Sequence, residues 1–137
     1  MRRKVLLLTA FMVSACSAHS PFIVKNTVEG HPASASATKY PAHSKKILVT
    51  QSGLPADIKY EVIETIEVGK VWYGSVNEVD VSMADRARSI GADAVIFAKT
   101  WHQPSGWSWA APHGSGQAVK ILNPDSTKLK SVPGSWL

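Results

Sequence analysis

The chain predicts an α+β domain: a small antiparallel sheet of three to four strands covered by one helix, in the order strand, strand, helix, strand, strand. Three stretches predict it. "YEVIETIEV" (60–68) alternates with the period of a half-buried strand, and "VDVSMADRARSIGAD" (79–93) repeats apolar residues at helical steps. "ADAVIFAKTW" (92–101) with "GQAVKIL" (116–122) reads as a buried strand and its antiparallel return.

The elements follow in chain order. "KILVT" (46–50) is a short apolar run suited to a strand, and Gly53 and Pro55 mark the turn after it. In 60–68, Tyr60, Val62, Ile66 and Val68 share one face, while Glu61, Thr65 and Glu67 share the other. Glu64 falls on the apolar side and Ile63 on the polar side, out of phase. Gly69 breaks the run, and "KVWYGSV" (70–76) continues as a second extended piece. Val79, Met83, Ala87 and Ile90 then form the buried stripe of a helix capped by Asp80 or Ser82, with Arg86 and Arg88 at its negative end. Gly91 supplies the left-handed exit, and Asp93 can hydrogen-bond the turn. "AVIFA" (94–98) is apolar on both faces and so predicts a central strand, followed by a loop, "HQPSGWSWAAPHGS" (102–115).

The segments around this domain differ in composition. Residues 1–15 carry Arg2, Arg3 and Lys4, then a nine-residue, mostly apolar run from Val5 to Val13, then Ser14 and Ala15. The run is far shorter than the ~20 residues a spanning helix needs, so the segment reads as a secretory signal peptide. Residues 16–45 are rich in Ala, Ser, Thr and Pro and read as a flexible tether in which only "FIVKNTV" (22–28) could form a strand or dock. A flexible tether over 17–44 would hold the domain on the order of 30 Å from its start. The domain spans 46–122, and 123–137, with two prolines and no periodicity, reads as a flexible tail.

Composition excludes some functions. The full chain has 15 Lys plus Arg against 10 Asp plus Glu, but Arg2, Arg3 and Lys4 belong to the leader, which leaves the mature chain 12 against 10. A balance so near neutral, without a basic cluster, argues against nucleic acid as a partner. Cys16 is the one cysteine, so no disulfide can staple the domain.

"VSAC" (13–16) resembles the bacterial lipobox, in which the cysteine thiol receives a diacylglyceryl group and the chain is cut before it. The resemblance makes Cys16 a lipidation site and the membrane a partner through that anchor. Ser17, where an aspartate commonly favours retention in the inner membrane, points to the outer membrane, facing the periplasm. The stretch from Met83 to Leu122, and "SIGADAV" (89–95) above all, resembles a group of small bacterial domains. One branch is a cytosolic family named for heavy-metal binding, whose members tend to form rings; the other is the lipoprotein sensor of the Rcs envelope-stress relay. The resemblance implies a bacterial envelope lipoprotein and makes an oligomer possible. The sensor's disulfides have no counterpart here.

Trp101, Trp107 and Trp109 lie within nine positions. Tryptophans in water are costly and favour interfaces, so Trp107 and Trp109, with His102 and His113 beside them, are candidate partner-binding residues, while Trp101 belongs to the core. Gly91 and Asp93 are structural. The five histidines, at 19, 31, 43, 102 and 113, are scattered and read as exposed polar residues; no metal site and no cofactor are expected. The expected function is a non-enzymatic, membrane-tethered interaction or sensing module, with an envelope protein or peptidoglycan as partner. The alternatives are a periplasmic metal or small-ligand binder using His102 and His113, and a small hydrolase drawing on Glu64, Asp93, His102 and His113.

Overall fold

The computed structural model describes residues 22–28, 31–32, 40–106 and 108–137. Cys16 and Trp107 lie outside them, as do the side chains of 22–32. The fold is α+β, with elements β1 (Phe22–Val28), β2 (His31–Pro32), β3 (Leu48–Val49), β4 (Tyr60–Lys70), α1 (Val76–Ser89), β5 (Ala94–Ser105), β6 (Ser108–Ile121), α2 (Ser126–Lys130) and β7 (Ser135–Trp136).

The sheet is larger than expected and mixed. Its order is β2-β1-β4-β6-β5-β3-β7, so five strands come from the region after residue 46 and β1 and β2 extend it to seven among the described residues. β3 runs parallel to β5, and the other pairings are antiparallel. β6 sits between β4 and β5, which makes β4-α1-β5 a split crossover.

Burial shows why β4 looked out of phase. A bulge between Val62 and Glu64 inserts one residue and shifts the alternation. Beyond it Glu64, Ile66, Val68 and Lys70 all turn inward toward α1, while Tyr60 and Val62 before it are exposed. Gly69 does not break the strand, which runs on to Lys70.

The helix begins earlier than the expected Asp80 or Ser82. Ser75 caps it, accepting from the Asn77 amide, and Glu78 follows three residues after the cap, where its carboxylate pairs with Lys70. Val79, Met83, Ala84, Ala87 and Ile90 are all essentially inaccessible and pack with Ile66, Val68, Val95 and Ala118. The approach is close because β6 presents Gly114, where a Cβ would lie 2.4 Å from Val79 Cγ1; Gly116 makes room within the sheet, where a Cβ would lie 2.5 Å from Val95 Cγ1 of β5. Buried Glu64 is met by Arg86 of α1 through two hydrogen bonds of 2.9 Å.

The opposite face of the sheet has its own core. Leu48, Ala94, Ile96, Val119 and Ile121 pack under Ile58, Leu129 and Val132. The expectation of a flexible tail over 123–137 is therefore corrected. Asp125 caps α2, Leu129 is buried, β7 pairs with β3, and Leu137 exchanges two backbone hydrogen bonds with Ile47.

In the tether, "FIVKNTV" takes the strand form open to it as β1, paired with β4, whereas residues 40 and 43, expected to be flexible, are bonded to the domain. Tyr40 donates to Glu61, and His43 Nε2–H donates to Ala92 O at 2.7 Å, so His43 is half-buried rather than free in solvent. Gly91 makes the expected left-handed exit at φ 77°, and a Cβ there would strike Tyr40 and Pro41. Asp93 bonds across the sheet rather than within its own turn, accepting from the Ile121 amide and Lys120 Nζ, both at 3.1 Å.

Candidate functional site

The stretch expected to be a loop is most of a long hairpin. β5 and β6, twelve and fourteen residues long, stay paired to Ser105 and Ser108 and turn at Gly106, whose φ is 56°. A bulge between Ile96 and Lys99 puts Phe97 at φ 51° and half exposes it. "AVIFA" is thus covered on both faces only as far as Ile96.

Beyond that bulge Trp101 and His113 oppose each other on the face away from α1. Their rings stack with centroids 6.1 Å apart and planes 24° from parallel. Each ring is held by further contacts. Trp101 Nε1–H donates to Gln103 Oε1 at 2.7 Å, and His113 Nδ1–H donates to Ala111 O at 3.0 Å. The imidazole also lies on bare backbone at Gly69, where a Cβ would come within 2.5 Å of Cδ2. The indole N–H is thereby satisfied within the chain, and Trp101, 40 % exposed, offers a ring surface. It borders a cleft of about 320 Å³ together with Glu67, Gln103, Ser105 and His113, at the small end of the ~300–1,000 Å³ usual for ligand sites. Trp101 was expected in the core and instead lines this open face.

The same end of the sheet gathers more aromatics. Gly106 lies against Val71, where an added Cβ would be 2.7 Å from Cγ1, so the hairpin tip rests beside the segment that follows β4. There Trp72 and Tyr73 meet edge to face at 5.7 Å and are 45 % and 52 % exposed, while Trp109 on β6 is 82 % exposed. The two stretches that build this end, 71–77 and 100–117, contain no Asp, Glu, Lys or Arg, yet hold four of the five tryptophans of the chain. That depletion of charge was readable in the sequence. Trp72 and Tyr73 were passed over because "KVWYGSV" read as an ordinary strand.

The expected site residues do not all converge. His102 pairs with Pro112 and Trp101 with His113, so His102 and His113 point to opposite faces of the hairpin and cannot share a ligand between them. No group of three or more His, Cys, Asp or Glu gathers to hold a metal among the described residues. The acid–base set is dispersed: Glu64 lies under α1 with Arg86, and Asp93 lies toward the far end of β6, beside Val119 and Ile121. A second cleft, of about 310 Å³, lies between α1 and the β3–β7 edge, lined by Thr50, Ser52, Thr100, Ser135 and Asp80. Burial holds the Asp80 carboxyl above the ordinary carboxylate range. Among the described residues no helix is long and apolar enough to cross a membrane.

No family model, curated protein or solved structure matches this chain.

Proposed function

We propose that this chain is a lipid-anchored protein of the bacterial envelope, held by Cys16 in the outer membrane and facing the periplasm. It works there as a non-enzymatic interaction or sensing module whose partner-binding surface is the cleft beside Trp101 and His113. The anchor rests on the order of charge, apolar run, small residues and cysteine in residues 1–16, and on its likeness to the lipobox. The binding surface rests on one observation: Trp101 and His113, in a stretch (100–117) without Asp, Glu, Lys or Arg, are fixed as a stacked pair beside a cleft. Rings already ordered before contact lose little conformational freedom on binding, which favours recognition. The likeness of "SIGADAV" to the Rcs sensor group agrees with an envelope role.

The partner class we favour is a membrane-proximal envelope protein. A photoreactive residue at position 105, which lines the cleft, should capture it in living cells, and Trp101→Ala should abolish the adduct. Adducts confined to peptidoglycan would replace the partner. An absence of any adduct with normal protein levels would refute the reading. The cleft also favours one alternative, a small-ligand carrier with His113 as its single imidazole. Heat on titration with zinc that His113→Ala removes would support that alternative.

A further inference from the structure

We infer that the hairpin tip and the Trp72–Tyr73 segment beside it lie on the lipid headgroups, so that this tip, as distinct from the Trp101–His113 cleft, is a membrane-docking surface. The inference rests on the Cys16 anchor proposed above and adds an orientation to it.

The direction of β1 carries the argument. Phe22 pairs with Lys70 and Thr27 with Thr65, so the chain enters the sheet at the Lys70 end, next to Val71, Trp72 and Tyr73. Cys16 precedes Phe22 by six residues. Six residues reach at most about 20 Å even when fully extended. The tip projects a similar distance past the same row: Gly69 is level with His113, and Ser108 at the closing pair lies five steps along β6 from His113, about 17 Å at strand rise. A domain leashed so closely at that end is held with its tip within reach of the bilayer. Its tip reaches the surface, in place of the 30 Å stand-off that a loose tether would allow.

The chemistry of the tip suits the place. Trp and Tyr concentrate at the headgroup level, where an apolar ring and a polar edge are both accommodated. Among the described residues Trp72, Tyr73 and Trp109 are exposed at the tip, with Trp101 further back on the cleft, and no charged residue of 71–77 or 100–117 must be desolvated on contact. Lys70, beside them, is already paired with Glu78.

The acylated full-length protein, reconstituted into phosphatidylcholine vesicles with brominated acyl chains, tests this. Tryptophan emission should fall relative to unbrominated vesicles, and Trp72→Ser with Trp109→Ser should reduce that fall at least about twofold. Trp136, on the far β7 edge, should remain unquenched. Hydrogen exchange of the unsubstituted protein supplies a second reading free of folding effects: amides of 71–74 and 105–110 should slow on reconstitution. Acylated protein whose emission and exchange ignore the lipid would overturn the docking and leave the anchor standing. A photoreactive residue at position 109 that captures a protein rather than lipid would also overturn it. An unmodified Cys16 by mass spectrometry would overturn the anchor and the orientation together.

Discussion

Substituting Gly114 by Ala tests how α1 is held against the sheet. The new methyl would stand 2.4 Å from Val79 Cγ1, 3.0 Å from the Lys99 carbonyl and 3.3 Å from Thr100 Cγ2. The carbonyl belongs to a paired strand, and a helical valine has one strongly preferred rotamer, so neither neighbour gives way easily. Overpacking of this kind costs about 1–3 kcal/mol, against about 0.5–1 kcal/mol recovered by removing a glycine from a strand. The expected net loss is about 1–2 kcal/mol. Val79→Ala alone removes two buried methyl groups at about 0.8 kcal/mol each and leaves a cavity, for about 2 kcal/mol or more. If the two groups compete for one space, the double variant fills that cavity with the Gly114→Ala methyl. It should cost about as much as Val79→Ala alone, giving a favourable coupling of about 1–2 kcal/mol. Urea denaturation of the wild type, both single variants and the double variant measures this, with unchanged slopes confirming that the denatured state is comparable. Additivity within about 0.5 kcal/mol would refute the packing argument.

Arg86→Met strips two charge-assisted hydrogen bonds from buried Glu64; because Arg86 stays 29 % accessible and water can enter, the loss in urea denaturation should sit near the low end for a broken buried pair, about 3 kcal/mol. Adding Glu64→Gln to that variant should restore part of it. Asp80→Asn should raise the melting temperature at neutral pH. The native carboxyl binds its proton more tightly than the unfolded one, so its favourable contribution is complete below the ordinary carboxylate range and lost as pH climbs through the raised value. The gain from the neutral amide should therefore vanish in acid. Gly91→Ala puts a Cβ at φ 77° and 2.6 Å from Tyr40 Cβ, which should cost about 2 kcal/mol and speed proteolysis near residues 40–43.

The helix was legible from Val79, Met83, Ala87 and Ile90 because one long periodic stripe outweighs local noise, and Gly91 ended it as a left-handed residue should. Its start was missed although Ser75 and Glu78 carry the spacing of a capping box; Asp80 and Ser82, polar residues inside the first turns, competed as caps. The hairpin was mistaken for a loop because Pro104, Gly106, Pro112 and Gly114 resemble punctuation. Of these, Gly106 sits at the turn itself. Gly114 makes room for Val79 of the helix, a tertiary role that no local rule could distinguish from a turn. The slip at Ile63 and Glu64 was visible as a fault in alternation, and a bulge is its cause. The C-terminal segment shows no periodicity because five helical residues and two strand residues are too short to have one. In the candidate site, Trp109 and His113 were found from residue type, whereas Gly69 gains its role from register across strands, Gln103 from its bond to Trp101 within β5, and Trp72 from lying beside the hairpin tip.

The Leu137 amide and carbonyl are both bonded to Ile47, and its carbonyl also accepts from Arg88. One clip at Pro133–Gly134 would release that closing strand and uncover the row of donors and acceptors along Leu48 and Val49. A bare edge beside buried apolar residues recruits strands from other molecules. Trimmed protein is therefore expected to self-associate before it unfolds, which makes the last four residues a guard on solubility as well as a part of the sheet.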